Sequence, residues 1–419
     1  MLTEHQNKKL NQGLLYLKEG DRLLIRGSAG TGKTYLCNEL VKNLITDTEK
    51  CIYCTAPTNK AVAVLQSKIS ALGKIVFTTT HSALKMKRVI NDTTGEISFK
   101  PQYDPKCPPL KDVSILIVDE ASMINREMLE YIEEWATKQE CKVIFLGDSK
   151  QLPPVNEGSS PVFEANYPSV ELLEIVRQKD GNPIIDLSLN LKLIKNRKDN
   201  LTEGKDGYVF SNDFDKIVER LVLSNGTDLY KYASYTNEEV DRVNSVVRQK
   251  LYGDNPKKIE LGETLMFDEP YAKQYKANEE IKIEIVEIKE GYFNYTKVDR
   301  VKLKYYLINF IEAGGIYLDG IRVIHEDSET DFAQTKRKMI ELVKANKLSW
   351  SNYYDFTEQF ANLKFNHALT IHKSQGSTYQ NVILNIKDMR RCRGKEYENL
   401  LYTGITRASK MAVFYIPFY

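Results

Sequence analysis

A glycine-rich loop constrains this chain more than any other stretch of its sequence. Residues 27–34 read GSAGTGKT and closely follow the apolar run LLI at 23–25, which predicts a short buried strand. The loop fits G-x-x-x-x-G-K-[ST], a pattern whose glycines let the backbone adopt positive φ and approach an anion closely. A helical pattern from about Thr31 places backbone N–H groups and the positive end of a helix dipole beside the loop. We therefore predict a strand–loop–helix unit that binds phosphate groups.

This loop is expected to bind ATP together with Mg²⁺. The Lys33 ammonium would reach the β- and γ-phosphates, and the Thr34 hydroxyl would ligate the metal ion. The residues of the loop predicted to bind the nucleotide are Gly27, Ser28, Ala29, Gly30, Thr31, Gly32, Lys33 and Thr34. The alternative is an ordinary glycine-rich turn between a strand and a helix, and the strand and helix patterns on either side disfavour it.

Apolar runs alternate with helical patterns along the first part of the chain, and the alternation returns near the C-terminus. The clearest runs are RLLIR, KCIYCT, VSILIVDE and CKVIFLGD, and later NVILNI and MAVFYI. Continuous apolar strands separated by helices predict an α/β fold in which helices cover both faces of a parallel sheet. Ligands of such sheets bind at the carboxyl ends of the strands, where Lys33, Asp119 and Asp148 would converge.

Two stretches interrupt this alternation and predict insertions. Residues 86–101 (MKRVINDTTGEISFKP) read as two short strands around a turn, followed by a proline-rich loop. Residues 257 to about 325 alternate as strands, and residues 331–363 read as helical and rich in aromatic side chains. The expected organisation is a first domain at 1–180 with an insertion at 85–112, and a second domain at 181–419 with a β-rich insertion at 256–365.

Carboxylates and cations outside the loop suit phosphoryl transfer. Asp119 and Glu120 end a hydrophobic strand, where Asp119 would hold Mg²⁺ and Glu120 would polarise the attacking water. Gln151, in VIFLGDSKQLPPV, is a neutral residue able to sense the γ-phosphate. Positive groups should also reach the γ-phosphate from outside the loop, and Arg177 and Arg407 are the candidates. Either arginine can equally be a surface or ion-pair residue.

Taken in order, these blocks resemble the motifs of the superfamily 1 DNA helicases. They run LTEHQ, GSAGTGKT, APTNKAVAVL, TTTHSAL, ILIVDEAS, VIFLGDSKQLPPV, ELLEIVRQ, LTIHKSQGSTYQNV and LLYTGITRAS. The sequences of the last two blocks are similar to those of the RecD-like branch, superfamily 1B. The resemblance extends over nearly the whole chain. It implies two RecA-like domains with ATP between them, and 5′→3′ translocation on single-stranded DNA. This polarity comes from the resemblance alone.

The resemblance also implies roles for individual residues. The glutamine of the first motif, here Gln6, would read adenine, and Gln375 and Gly376 would belong to the nucleotide site. Contacts with DNA are implied for Pro57, Thr58, Asn59, Thr80, His81, Thr236, Asn237, His372 and Lys373. Without their motifs, His81 and His372 would be interpreted as ordinary core or surface histidines.

The hairpin at 86–101 lies where insertions in this family form a pin beside the DNA fork. Its one large aromatic residue is Phe99, and a phenyl ring there could stack on a terminal base pair. The alternative is that Phe99 packs the hairpin onto its own domain. The aromatic residues of WSNYYDF at 350–356 leave the same choice between base stacking and packing.

Composition limits the partners and the location. The chain carries a formal net charge of only +2, which leaves DNA binding open because binding needs a local basic surface. No apolar run reaches the roughly 18 residues of a membrane span, and no signal segment is apparent. We expect a monomer in the cytoplasm, that of the host if the chain is phage-encoded. Its expected partners are single-stranded and forked duplex DNA, with a single-strand-binding protein or other replisome proteins.

The predicted function is that of an ATP-dependent DNA helicase in phage-type replication or recombination. One alternative is a helicase subunit of a recombination nuclease, although the sequence has no apparent acidic or His/Asp cluster for a nuclease site. The other is a P-loop ATPase that acts as a switch without translocating. Co-purification of a nuclease would favour the first alternative. An ATPase that single-stranded DNA does not stimulate would favour the second.

Overall fold

The structure is a computed structural model, and its core is two parallel sheets with helices on both faces. It describes residues 2–417 apart from 45–49, 71–73, 103, 175–183, 185–186, 189–206, 228, 273–274, 276, 278 and 311–319. Arg177 and the expected domain boundary after residue 180 lie outside the described residues. None of the helices within the described ranges is long and apolar enough to cross a membrane.

The first sheet has six parallel strands in the order β3-β2-β6-β7-β1-β8. These strands are β1 Arg22–Gly27, β2 Cys51–Ala56, β3 Ile75–Thr79, β6 Val113–Val118, β7 Lys142–Gly147 and β8 Ser169–Leu172. The helices of this part are α1 Glu4–Glu19, α2 Lys33–Leu44, α3 Asn59–Gln66, α4 Thr80–Ala83, α5 Arg126–Lys138 and α6 Pro161–Glu164. Leu23 and Ile25 pack into the core on one face of β1 and Leu24 into the core on the other, as a continuous apolar run requires.

The second sheet has five parallel strands in the order β17-β10-β18-β19-β9. Its strands are β9 Tyr208–Ser211, β10 Tyr230–Ser234, β17 Ala368–Thr370, β18 Tyr379–Asn385 and β19 Ala408–Tyr415. Its helices are α7 Phe214–Leu223, α8 Asn237–Tyr252, α11 Ile371–Ser374, α12 Ile386–Met389 and α13 Gly394–Ile405. Ile383 and Leu384 of β18 point into different cores, so this sheet is also covered on both faces.

Smaller sheets and two helices interrupt these α/β units where the sequence predicts insertions. The hairpin strands are β4 Met86–Ile90 and β5 Ile97–Pro101. The other elements are β11 Thr264–Phe267, β12 Glu280–Lys282, β13 Ile285–Asn294, β14 Arg300–Asn309, β15 Ile321–Ile324, α9 Glu329–Lys344, α10 Trp350–Thr357 and β16 Leu363–Phe365. The strands form two antiparallel three-stranded sheets, β12-β11-β16 and β13-β14-β15.

The predicted α/β fold and the strands read from apolar runs are therefore confirmed, with local differences. The run IKIEIVEIKEG divides into β12 and β13, and the helical stretch at 331–363 divides into α9 and α10. Strands β3 and β8 were absent from the sequence prediction. Both lie at an edge of the first sheet, and in β3 one of five residues is exposed and the others are only half-buried. An edge strand needs no continuous apolar run, so its sequence carries a weaker signal.

Candidate functional site

The glycine-rich loop joins β1 to α2 at the carboxyl end of the first sheet. Gly30 and Gly32 have φ values of 82° and 84°, the left-handed region that glycine adopts without steric cost. The Lys33 ammonium donates hydrogen bonds to the carbonyl oxygens of Gly27 (2.8 Å) and Ser28 (3.1 Å). The lysine charge therefore lies over the loop whose N–H groups are suited to phosphate binding.

Gln6 reaches this loop from the N-terminal helix. Thr3 caps α1, and its backbone N–H donates to Gln6 Oε1 at 3.1 Å in a capping box. The Gln6 amide in turn donates to the carbonyl oxygen of Thr31 at 3.2 Å, and the side chain is only 2% exposed. A Cβ atom on Gly32 would lie 2.7 Å from Gln6 Nε2, so the amide packs directly on the loop. This places Gln6 beside the nucleotide loop, as its motif implies.

Two carboxylates follow β6, beside the loop. The Asp119 N–H donates to the carbonyl oxygen of Thr55 on the neighbouring strand at 2.8 Å. Glu120 adopts a left-handed φ of 53°, and its N–H donates to Asp119 Oδ1 at 2.8 Å. Burial raises the pKa of Asp119 to about 6, and the Glu120 charge adds to this while the Lys33 charge opposes it. Mg²⁺ prefers oxygen ligands such as carboxylates and hydroxyls. The side chains of Asp119 and Thr34 therefore have the chemistry to ligate the Mg²⁺ ion that a P-loop uses.

A tyrosine of the second α/β unit bonds directly to the nucleotide loop. Tyr402, on α13, donates from its hydroxyl to Asp148 Oδ2 at 2.5 Å. The same hydroxyl accepts from the Ala29 N–H of the loop at 3.1 Å. Tyr402 is 2% exposed and Asp148 is 3% exposed, so water competes little for either bond. The second unit therefore contacts the nucleotide loop through this phenol.

The second unit binds the segment after Asp148 through the backbone N–H and carbonyl groups of Leu152. The Leu152 N–H donates to the Thr403 hydroxyl at 3.0 Å, and the Leu152 carbonyl accepts from the Gln375 amide at 3.1 Å. Gln151 next to it is buried, and its Oε1 has no hydrogen-bond partner among the described residues. A buried amide oxygen without a hydrogen-bond partner lowers the stability of the folded protein. Such unpaired oxygens often mark functional positions.

Gly376 brings the second unit against the first at another point. Its φ is 73°, and a Cβ atom there would lie 3.0 Å from both Ala61 Cβ and Thr58 Oγ1. Any larger side chain would separate this turn from the start of α3. Gln375 and Gly376, both predicted for the nucleotide site, thus lie at the contact between the two units.

Arg407 is buried behind α13. It is 5% exposed, and its guanidinium donates to the carbonyl oxygens of Thr403 (3.1 Å) and Ser377 (3.2 Å) and to the Thr406 hydroxyl (3.3 Å). All three partners are neutral and belong to the same unit, and no salt bridge of Arg407 occurs among the described residues. Its positive charge is therefore held in place without being neutralised.

The residues implied to contact DNA follow the two outer strands at one edge of each sheet. In the first sheet these strands are β3 and β2, and in the second they are β17 and β10. Thr58 caps α3 after β2, and Thr236 caps α8 after β10. The same edges carry Pro57, Asn59, Thr80 and His81 in the first unit and Asn237, His372 and Lys373 in the second. Each unit therefore presents a comparable pair of strand ends.

The two histidines of these edges are half-buried beside aromatic rings. His81 lies edge-on to Phe99 with 5.8 Å between ring centroids, and His372 lies 6.1 Å from Tyr235. Burial lowers the pKa of both histidines, so both rings are neutral at pH 7. They can therefore stack or hydrogen-bond with DNA, but they add no charge at this pH. Lys373 is paired with Asp268 in the β-rich insertion.

The hairpin β4–β5 is supported by α10 of the second insertion. The Tyr354 hydroxyl donates to the carbonyl oxygen of Gly95 at 2.7 Å, and a Cβ atom on Gly95 would collide with the Trp350 ring. Arg88 lies 4.2 Å from the Tyr354 ring centroid and forms an ion pair with Glu358. A two-stranded hairpin is marginal alone, so these contacts stabilise it. Packing is therefore the role of the 350–356 aromatics that the structure places here.

Sequence reasoning missed three elements of this site: Tyr402, Thr403 and the contact between α10 and the hairpin. Tyr402 and Thr403 lie in LLYTGITRAS, the block that also supplied Arg407, so their position was visible but their partners were not. Phe99 keeps 46% of its surface exposed although it contacts His81, so its ring remains available at the hairpin surface.

Two family models match this chain. One, described as an AAA domain, matches residues 2–206, and the other, described as a UvrD-like helicase C-terminal domain, matches residues 365–415. The chain is 29% identical over 460 residues to the ATP-dependent DNA helicase dda of Enterobacteria phage T4, covering 99% of each chain. It is 23% identical to the RecBCD enzyme subunit RecD of Buchnera aphidicola subsp. Schizaphis graminum, covering 93% of this chain and 69% of that protein.

Solved structures of Pif1 helicases share the fold over nearly the whole chain. A structure of two coordinating Pif1 helicases at forked dsDNA gives a TM-score of 0.54 at 16% identity, covering 99% of this chain and 92% of that one. The Bacteroides Pif1 complex with ADP-AlF3 and ssDNA gives 0.52 at 17% identity, covering 100% and 95%. At these identities the likeness establishes the architecture, two RecA-like domains with inserted sheets.

Proposed function

Because the chain belongs to the superfamily 1B DNA helicases, we propose that it hydrolyses ATP to move 5′→3′ along single-stranded DNA and to unwind duplex DNA. The observation that carries this proposal is the contact between the two RecA-like domains at the nucleotide loop. Tyr402, Thr403 and Gln375 of the second domain bond to the loop and to residues 148–152 of the first. Nucleotide chemistry at this position acts directly on the relative placement of the domains.

The chain's own residues can perform each part of ATP hydrolysis. Lys33 would neutralise the phosphates, and Thr34 and Asp119 would hold Mg²⁺, which would supply charge stabilisation. Glu120 accepts a proton from the attacking water, and Gln151 senses the γ-phosphate. Arg407, joined by Arg177, stabilises the charge that develops on the γ-phosphate. Gln6 reads the adenine, and Gln375 and Gly376 complete the site from the second domain.

Movement follows from the difference between the nucleotide states. ATP would shift the equilibrium towards the closed cleft because Arg177 and Arg407 would gain contacts with the γ-phosphate only in that state. Each domain holds DNA at its own pair of strand ends, β3 and β2 in the first and β17 and β10 in the second. If the grip alternates between these edges as the cleft opens and closes, each hydrolysis event advances the strand. Phosphate contacts and base stacking would hold it without strong sequence preference.

The proposed function includes the partners of the enzyme and its place in the cell. The chain covers 99% of the phage helicase but only 69% of the RecD subunit. We propose a monomer in the cytoplasm that binds single-stranded and forked DNA and functions in replication or recombination, alongside a single-strand-binding protein or other replisome proteins. We assign residues 1–180 to the first RecA-like domain with its pin at 85–112, and 181–419 to the second with an insertion at 256–365.

Strand displacement on tailed duplexes tests activity and polarity together. We expect ATP-dependent unwinding of a duplex with a 5′ single-stranded tail, and none of the matched duplex with a 3′ tail. Unwinding of the 3′-tailed substrate alone would refute the polarity. If single-stranded DNA stimulates ATP hydrolysis but neither duplex is displaced, the protein translocates without unwinding. No stimulation at all would favour the switch ATPase.

The pKa of Asp119 predicts how the metal requirement changes with pH. Its folded-state pKa of about 6 exceeds the ordinary value, so the carboxyl becomes protonated as the pH falls through about 6. A protonated Asp119 cannot ligate Mg²⁺. We expect the Mg²⁺ concentration that half-saturates ATP hydrolysis to rise between about pH 8 and about pH 5.5, measured at saturating ATP.

A variant separates this effect from the titration of ATP itself, whose terminal phosphate also protonates near a pKa of about 6. Asp119→Asn should require more Mg²⁺ at every pH and show only the smaller pH dependence that ATP contributes. An identical pH dependence in the wild type and in Asp119→Asn would show that Asp119 is not the titrating ligand.

The hairpin offers a direct test of strand separation at Phe99. Stacking of a base on an aromatic ring contributes about 1–3 kcal/mol, comparable with about 1.4 kcal/mol per step of duplex DNA. Phe99→Ala should therefore reduce the unwinding rate by about tenfold or more, since 1.4 kcal/mol corresponds to a factor of ten. ATPase activity stimulated by single-stranded DNA should change by less than about twofold. Both rates and the melting temperature are measured on one preparation.

Val89 provides the matched control for Phe99. It is also exposed on the hairpin, at 41%, and its partner in the strand pair is Ser98, so it lies on the opposite face from Phe99. Val89→Ala should leave unwinding unchanged. If Phe99 only packs the hairpin, then stability, ATPase activity and unwinding should fall together. Unwinding of Phe99→Ala at the wild-type rate would exclude a wedge at this position.

A further inference from the structure

Among the described residues, Tyr402 is the one second-domain residue whose side chain forms a hydrogen bond with the nucleotide loop. A phenol can donate one hydrogen bond and accept others. Here it donates to Asp148 Oδ2 at 2.5 Å and accepts from the Ala29 N–H at 3.1 Å. The phenol proton therefore points towards Asp148. The remaining Asp148 oxygen, Oδ1, accepts from the Lys150 N–H at 3.0 Å. The loop, Asp148 and α13 thus form one continuous set of hydrogen bonds.

We propose that Tyr402 is a positioning residue that transmits the state of the phosphate loop to the second domain. This inference rests on the proposed helicase function and assigns a residue to its coupling step. Thr403 and Gln375 already hold residues 148–152 through the Leu152 backbone. Tyr402 differs from both because its hydroxyl also contacts the loop itself.

The chemistry of the loop explains why this contact responds to nucleotide. Backbone N–H groups of a P-loop are donors to phosphate oxygens, and the Ala29 N–H is one of those in the loop. A phosphate oxygen near Ala29 competes with the phenol for this donor, whereas the bond to Asp148 is independent of phosphate. Binding and release of phosphate therefore change the bond between Tyr402 and the Ala29 N–H and leave the bond to Asp148.

The position of Tyr402 on α13 directs this change to the second domain. The same helix carries Thr403 next to it and is followed by Arg407, whose guanidinium donates to the Thr403 carbonyl at 3.1 Å. A displacement of Tyr402 relative to the loop is thereby shared with the arginine expected to stabilise the γ-phosphate. Burial and the neighbouring Asp148 carboxylate raise the pKa of Tyr402, so the phenol stays protonated and keeps its donor role.

Tyr402→Phe tests this role because it keeps the buried ring and removes only the hydroxyl. We expect kcat of ATP hydrolysis stimulated by single-stranded DNA to fall about tenfold or more, the effect of losing a hydrogen bond to a charged group. KM for ATP should not rise, because loss of the phenol frees the Ala29 N–H for phosphate, and the affinity for single-stranded DNA should stay within about twofold of wild type. The ratio of stimulated to unstimulated kcat should fall, which a loss of stability alone does not produce.

Tyr306→Phe is the matched control. Tyr306 is a buried tyrosine of the β-rich insertion whose hydroxyl donates to Glu326 at 2.7 Å, and neither residue is among those proposed for the nucleotide or DNA sites. This variant should lower the melting temperature without changing the stimulation by DNA. If Tyr402→Phe behaves in the same way, with normal kcat at temperatures where it is folded, the proposal is overturned.

A double-mutant cycle with Asp148→Asn tests whether the two residues act through their shared bond. If they do, the loss of kcat in the double variant should not exceed the larger single loss, because interacting residues are not additive. Multiplied losses would refute the coupling. The wild type distinguishes this inference from the proposed function. A wild type without DNA-stimulated ATPase contradicts the helicase, while an active wild type with a fully active Tyr402→Phe contradicts only the role of Tyr402.

Discussion

Arg407→Ala is expected to lower the rate of ATP hydrolysis by about 10³-fold or more while most of the affinity for ATP remains, as for other arginine fingers. The guanidinium is 5% exposed and held by neutral oxygen atoms of Thr403, Ser377 and Thr406. None of these partners carries a charge, so the positive charge of Arg407 is not neutralised by them, and we propose that it acts on the γ-phosphate. An interaction made mainly in the transition state affects kcat rather than ground-state binding.

Steady-state kcat and equilibrium binding of a fluorescent ATP analogue separate these two effects. Arg407→Lys keeps the charge but loses the planar fork of donors, so it should recover only part of the rate. Arg391→Ala serves as a control because Arg391 is a surface residue of the same domain whose side chain is 58% exposed. It should hydrolyse ATP normally. A loss of less than about tenfold in Arg407→Ala would indicate that Arg407 is only structural.

Glu120→Gln should abolish turnover and still bind ATP. The substitution keeps the size of the side chain and the left-handed backbone at residue 120, where φ is 53°. It removes the carboxylate proposed to accept a proton from the attacking water, a contribution that general bases make at about 10²–10⁴-fold. Single-turnover hydrolysis with the protein in excess over ATP measures the chemical step directly, and ATP binding is followed in parallel.

Lys33→Ala should abolish turnover for a different reason. It removes the charge that faces the phosphates, and we expect ATP affinity to fall together with the rate. Glu130→Gln, an exposed glutamate on α5, is the control for Glu120→Gln and should leave both quantities unchanged. Near-normal hydrolysis by Glu120→Gln, or loss of its ATP binding, would contradict the proposed base.

The local parts of this protein can be predicted from sequence because their causes are local. The apolar run of β1, the glycines of the loop and the helical pattern of α2 are adjacent in the chain, so their order alone predicts the phosphate site. The carboxylates after β6 and the caps at Thr58 and Thr236 follow strand ends in the same way. The family, and with it the expected partners, follows from the order of such blocks.

The tertiary structure decided how the domains and insertions meet. Ala29 and Tyr402 are separated by 373 positions in the chain, and Gly95 and Tyr354 by 259, yet each pair is joined by a hydrogen bond. The spacing of residues in the sequence does not predict such pairs, because the distance between the two residues depends on how whole sheets pack. Exposure of Phe99 and burial of Arg407 depend on the same packing. The sequence therefore determined the ATP-binding unit and its family, whereas the fold alone brought the second domain onto the loop, since that contact requires both sheets to be complete.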